Sequence, residues 1–290
     1  MIYLALSVLS STCIFIVFKL FERYKINILH AIVTNYLVAC ICGLIAYEQP
    51  IIISEIPQFD WFYYTLGLGA FFIGIFNLMA ITTQRSGLSV VSVATKMSLV
   101  IPILFGLFYY QEALGILKFL GILLALAAVY LTSIKAKEGL TIKKRNLIFP
   151  ALVFLGSGII DTGIKYLEES FVAEDDVALF SAIIFSSAAM VGIVLLGVQA
   201  LAGNFKFQLK NVIGGIFLGI PNYFSVYFLV KALRSGILES SGIFTVNNVA
   251  IVLLSTLFGI FLFKERLLLK NWIGILLAVV SIFLVALARF

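Results

Sequence analysis

The sequence predicts an all-α integral membrane protein of ten transmembrane helices, built as two inverted five-helix repeats. Three observations carry that prediction. Only 12% of the 290 residues are charged and 62% are hydrophobic, with a mean hydropathy of +1.15; a soluble domain carries about 25% charged residues. The apolar runs are continuous over about 20 residues, the length of a helix that crosses a bilayer, and do not alternate over about 10 as barrel strands do. A pattern also returns along the chain. Glu112, Gly121 and Ala125 are matched by Glu265, Gly274 and Ala278, each 153 positions later, which marks an internal repeat.

The apolar runs lie near 2–20, 28–47, 60–82, 88–109, 114–134, 147–167, 177–200, 211–232, 238–263 and 270–288, with charged residues, Pro, Asn and Gly between them. The first run has no basic segment before it and ends in Lys19 and Arg23, so it reads as a retained helix and not as a cleaved signal. The break at 135–146 is basic, with Lys135, Lys137, Lys143, Lys144 and Arg145. It links a first repeat, 1–134, to a second, 147–290, within one membrane domain. Five spans per copy is an odd number, so the second copy enters the membrane from the opposite side and the two are related by an axis in the membrane plane. Weaker echoes agree: Arg85-Ser86-Gly87 with Arg234-Ser235-Gly236, and Ser11 and Lys19 with Ser157 and Lys165.

Charge is distributed by side. Lys19, Arg23, Lys25, Arg85, the 135–145 cluster, Lys206, Lys210, Lys264, Arg266 and Lys270 fall in one set of alternate loops. Glu48, Glu55, Asp60, Glu168, Glu169, Glu174, Asp175 and Asp176 fall in the other. The positive-inside rule then places both termini outside the cytoplasm. The net charge of +6 is accounted for by topology and by contact with anionic membrane lipid, and no nucleic-acid partner is expected. Cys13, Cys40 and Cys42 lie in apolar runs and read as small fillers, and His30 stands at the start of a span. No metal site or cofactor is expected.

A charge in the hydrocarbon costs about 2.5–3.5 kcal/mol on insertion scales and needs a reason. Lys96 is the ninth residue of its span, about 12 Å from the near end. It reads either as a cation facing a cavity, where it meets an anionic group of a solute, or as one half of a structural pair with a buried carboxylate. Asp161 is the acid set well inside a span; it either pairs with Lys165 one turn on or faces Lys96 across the cavity. Asn77, Asn222, Asn247 and Asn248 complete the polar set, and Asn248 stands 153 positions after Thr95. Polar groups at one depth in both copies point to a midplane binding site; taken one at a time, each Asn is also explained by an interhelical hydrogen bond. Pro102 and Pro221 interrupt their helices, as hinges or as static kinks. Gly215-x-x-x-Gly219 reads as an intramolecular packing face. Trp61, Tyr63, Tyr64, Tyr109, Tyr110 and Trp272 read as an interfacial belt.

Five-helix repeats with a polar, Pro-bearing fourth helix, a Glu in the following turn, and a fifth helix opening on Gly and closing its motif on Ala resemble the drug/metabolite transporter superfamily, and its EamA-type branch in particular. The residues that carry the likeness are Pro102, Glu112, Gly121, Glu265 and Gly274. The second copy departs from it, with Ser255 where Pro102 stands in the first. The resemblance implies a central cavity lined by helices one to four of each half, export or exchange of small metabolites, and both termini in the cytoplasm, against the charge argument. The first span lacks the acid with which small multidrug relatives bind protons.

The function expected is a secondary transporter, an exporter or exchanger, of a small polar solute that is anionic or amino-acid-like. It is expected to act as a monomer in a bacterial cytoplasmic (inner) membrane, with a coupling proton or ion. A membrane structural or regulatory subunit is the alternative. An intramembrane enzyme fits worst, because paired carboxylates, a Cys/His cluster and a Walker motif are all missing from the sequence.

Overall fold

The computed structural model describes residues 1–86, 95, 98, 100–109, 111, 115–133, 148–263 and 269–287. Among these the regular structure is helical throughout. Among the described residues ten α-helices can be delimited: α1 (Ile2–Tyr24), α2 (Ile28–Ala46), α3 (Phe62–Ser86), α4 (Val100–Tyr109), α5 (Ile116–Ser133), α6 (Ile148–Phe171), α7 (Val177–Leu201), α8 (Leu209–Arg234), α9 (Ser240–Phe263) and α10 (Leu269–Leu287). Single 3₁₀ turns, Ile56–Gln58 and Glu174–Asp176, precede α3 and α7. By length and composition α2, α7, α8 and the first part of α3 (Phe62–Met79) can each cross a bilayer, and α1, α5, α9 and α10 carry shorter apolar stretches. With large hydrophobic side chains from Ile2 to Leu287 left exposed on the exteriors of the described helices, these helices need lipid around them. The basic segment 135–146 and the residues Glu112 and Glu265 lie outside the described residues.

Two helix ends are closed by the same device. After α1, Lys25 takes a left-handed conformation (φ 51°) and the Ile26 N–H donates back to the Phe21 carbonyl at 3.1 Å. After α7, Gly203 does the same (φ 70°) and the Asn204 N–H donates to the Gln199 carbonyl at 2.9 Å. Both bonds satisfy carbonyls that a helix end leaves open. The next helix begins a few residues on. α2 starts at Asn27, whose side chain accepts the His30 N–H at 3.2 Å.

The helices pack mostly across the two halves of the chain. α2 lies against α7 and α8, α3 against α6 and α7, α1 against α8 and α9, α4 against α6 and α9, and α5 against α10. Advancing every label by five, cyclically, turns α2–α8 into α7–α3, α1–α8 into α6–α3, and α1–α9 into α6–α4, all of which are present. The central core is aromatic, with Tyr36, Phe72, Phe180, Phe185 and Tyr223 buried together from α2, α3, α7 and α8. Two backbones approach closely enough to require glycine. A Cβ on Gly219 of α8 would stand 2.7 Å from the Asn35 carbonyl on α2, and one on Gly69 of α3 would stand 2.5 Å from the Ile184 carbonyl on α7. Gly215 likewise faces Thr34 and the Ala31 carbonyl, so the Gly215-x-x-x-Gly219 face is used within the chain. At the far edge Ser281 of α10 donates to the carbonyl of Gly121 on α5 at 2.6 Å.

The aromatic belt needs one correction. Tyr63, Tyr64, Tyr109 and Trp272 are exposed, but Trp61 is buried, stacked on Phe59 and set edge-on to Phe180. A Trp at a helix start serves either lipid or core. Here the chain folds back through the 56–58 turn and lays Phe59 over the indole, which closes it off from lipid. Tyr110 lies outside the described residues.

Candidate functional site

The helices that should carry the site are apolar, and four of the expected polar residues keep partial exposure within them. Asn77 on α3, Asp161 on α6, Asn248 on α9, and the helical Thr95 ahead of α4 are each half-buried. α3 and α6, which hold Asn77 and Asp161, pack together; α9, which holds Asn247 and Asn248, packs on α4. Lys96, the residue on which the anionic preference rests, lies outside the described residues.

Two of the asparagines are partly engaged by their own helices. Asn77 Nδ2 donates to the Ile73 carbonyl at 2.9 Å and Asn248 Nδ2 to the Phe244 carbonyl at 3.0 Å, both one turn back. Thr162, beside Asp161, does the same to Gly158 at 2.7 Å. Such bonds hold a polar side chain against its helix at little cost. Asn247 is different. It is 5% exposed, and its Oδ1 is buried without a hydrogen bond. A buried amide oxygen left open costs about 1–3 kcal/mol, so this acceptor is a point where a donor would gain.

Asn222 sits apart from these. It is buried on α8, and its Nδ2 donates to Oδ1 of Asn35 on α2 at 3.1 Å. With the Asn35 amide turned over, the same donor is 3.2 Å from the amide oxygen, and the Asn35 nitrogen gains the Leu218 carbonyl at 3.3 Å. This is the interhelical hydrogen bond that a buried Asn can make. The prolines differ from each other too. α8 runs without a break through Pro221, which leaves the Phe217 carbonyl without its usual helical donor. Pro102 lies in the first turn of α4, where its missing N–H costs little. The chain makes a turn at Ser98, whose carbonyl accepts the Ile101 N–H at 2.9 Å.

Sequence reasoning missed an ionic closure that joins the ends of four helices. At the end of α6, Glu168 is 2% exposed and pairs with Arg234 at the end of α8. The same guanidinium donates to the carbonyl of Glu168 at 2.9 Å and to that of Val172. It thereby caps the end of α6 as well as neutralising its acid. Lys165, fully buried one turn earlier, also acts on the Glu168 carboxylate. Glu169 accepts from Ser240 at the start of α9 at 2.8 Å, and Lys118 at the start of α5 pairs with Glu239 just before α9. The acids were visible as a loop cluster and Arg234 as a repeat echo. Nothing local linked them, because Glu168 and Arg234 are 66 residues apart.

The EamA-like transporter family matches residues 1–134. That half of the chain is EamA-like. The match supports membership of the drug/metabolite transporter superfamily. An uncharacterized protein of Haemophilus influenzae is 26% identical over 285 residues, 97% of this chain and 96% of the relative. A solved crystal structure superposes with a TM-score of 0.75 over 99% of this chain and 96% of that one at 13% identity. At that identity the likeness speaks for the fold. The relatives' names give no solute.

Proposed function

We propose that this EamA-like chain is a secondary transporter, an exporter or exchanger, for a small polar metabolite that is anionic or amino-acid-like. All ten helices cross the membrane, as two inverted five-helix repeats of 1–134 and 147–290 joined by the basic segment. The packing symmetry between α1–α5 and α6–α10 supports this architecture, as does the recurrence of the glycine approach at Gly69 and Gly219.

The observation that carries the functional reading is the half-exposure of Asp161, Asn77, Thr95 and Asn248 in otherwise apolar helices. A carboxylate with that exposure cannot face hydrocarbon, where a charge costs about 2.5–3.5 kcal/mol or more. We read its environment as a water-filled cavity between the halves, in which its own pairing is kept. Asn247 offers it an open acceptor, and Lys96, adjacent to Thr95, meets the solute's anionic group. Pro102 and Pro221 serve as the points about which helices move, with a proton or ion coupling the cycle. The ionic closure of Glu168, Arg234, Lys118 and Glu239 shuts one end of the cavity. The protein acts as a monomer in a bacterial cytoplasmic membrane.

Flux of a labelled solute panel into proteoliposomes tests this reading. Uptake or exchange of a carboxylate- or phosphate-bearing solute is expected; no flux across the panel would favour a structural or regulatory subunit. Lys96→Ala should abolish flux in a protein that still folds. Lys96→Arg should restore part of it, since a planar guanidinium does not replace a compact ammonium. If Lys96 only neutralises Asp161, Lys96→Ala folds poorly and Lys96→Ala/Asp161→Asn recovers both folding and flux.

A further inference from the structure

A second polar site lies at the molecule's surface, away from the interior set. The turn between α1 and α2 and the loop between α7 and α8 enclose a cavity of about 480 Å³. Its lining includes Lys25, His30, Lys206, Lys210 and Asn211 and no carboxylate. Two helices begin here. At α8 the N-cap, Gln208, gives no side-chain hydrogen bond and its carbonyl takes the Asn211 N–H at 2.9 Å, which leaves the Leu209 and Lys210 amides of a 26-residue helix without an acceptor among the described residues. At α2 the Asn27 side chain takes only the His30 N–H. Helix starts with open amides and positive dipole ends attract anions.

Two buried side chains in the lining point to a ligand independently of the helix ends. His30 is 9% exposed and stacks on Phe205 at 5.0 Å between ring centroids, and its ring nitrogens make no hydrogen bond to a described residue. Asn211 is 2% exposed; its Oδ1 accepts the Asn27 N–H at 2.9 Å, which leaves its Nδ2 as a donor for the cavity. Lys210 spends its ammonium only on a long contact of 3.4 Å to the Tyr24 carbonyl. The surroundings are apolar and exposed: Leu201, Phe207, Leu209, Ile213 and Phe217 run from the loop down the outside of α8.

We propose that this cavity binds a phosphate ester, held by Lys25, Lys206, Lys210, the His30 ring and the open amides of α8, and that its source is the headgroup of an anionic phospholipid. The apolar stripe on α8 is where the acyl chains of such a lipid would lie, and a free phosphate would make no use of it.

The test is thermal unfolding of the purified full chain in a neutral detergent, titrated with short-chain phosphatidylglycerol at fixed ionic strength. A saturable rise of about 5 °C is expected, with no rise from short-chain phosphatidylcholine. Lys25→Ala/Lys206→Ala/Lys210→Ala, all at exposed positions, should keep the basal melting temperature and weaken the response about 100-fold. His30→Gln should weaken it about tenfold, and Lys270→Ala, an exposed cation on α10, should leave it unchanged. An equal response to phosphatidylcholine, or an undiminished response in the triple variant, would overturn the site. An equal response to inorganic phosphate would keep the phosphate chemistry and overturn the lipid as its source.

Discussion

At the scale of single residues, polar side chains bonded from helix to helix differ from those bonded back to their own helix. Asn222 and Asn35 belong to the first kind, being fully enclosed and bonded to each other across α2 and α8. Replacing Asn222 with Leu leaves the Asn35 amide buried and short of its partner. We expect a loss of about 1–3 kcal/mol, seen as a lower melting temperature in detergent. Asn35→Leu/Asn222→Leu should lose less than the sum of the singles, with a coupling of about 0.6 kcal/mol, the average for interhelical hydrogen bonds in membranes. Additive losses would mean that the two amides act separately. In sequence all four asparagines looked alike. What tells Asn222 from Asn77 and Asn248 is the neighbour it meets, and Asn35, an unremarked residue of the second span, was that neighbour.

At the scale of helices, the device with the largest consequence is Arg234. It closes the open carbonyls at the end of α6 and neutralises Glu168, so one side chain on α8 fixes where α6 stops. Arg234→Ala would leave an enclosed carboxylate without its cation, a change that costs about 3–5 kcal/mol; expression and melting temperature should both fall sharply. Arg234→Ala/Glu168→Gln should recover part of that loss, because the carboxylate deprived of its guanidinium is then neutral while Lys165 stays beside it. Arg234→Lys should recover little, since an ammonium cannot reach a carboxylate and two carbonyls together. Helix limits were legible in sequence from charge and turn residues: Ile28–Ala46 and Val177–Leu201 lie within a residue or two of the apolar runs. In the fourth run the described helix is Val100–Tyr109, with Thr95 also helical and a turn at Ser98, and hydropathy does not register such a turn inside an apolar run.

At the scale of the whole molecule, the sequence made the membrane class and the recurrence of Gly121 and Gly274 plain, because both are written in composition and spacing. It could not show which helices become neighbours, since that depends on the close approaches at Gly69 and Gly219. Orientation is a whole-molecule property of the same kind as charge bias. With Cys13, Cys40 and Cys42 replaced, Lys206→Cys should react with an impermeant thiol reagent only in inverted vesicles, and Glu55→Cys only in intact cells. The opposite pattern would place the termini in the cytoplasm, as the family resemblance implies, and would leave the packing untouched.

The way α2 sits between α7 and α8 bears on how the protein is made. Helix α2 leaves the ribosome long before α8 does, and it has little of α3 to lie against in the meantime. Inserted early, it waits in the bilayer with Asn35 unpartnered until Asn222, 187 residues later, has been synthesised, so assembly is dominated by late, distant pairings. Chains 1–140 and 141–290 produced separately should each be degraded quickly, and produced together they should find each other and persist. Survival of the first fragment by itself would mean that its helices have a way to satisfy one another that the finished protein does not use.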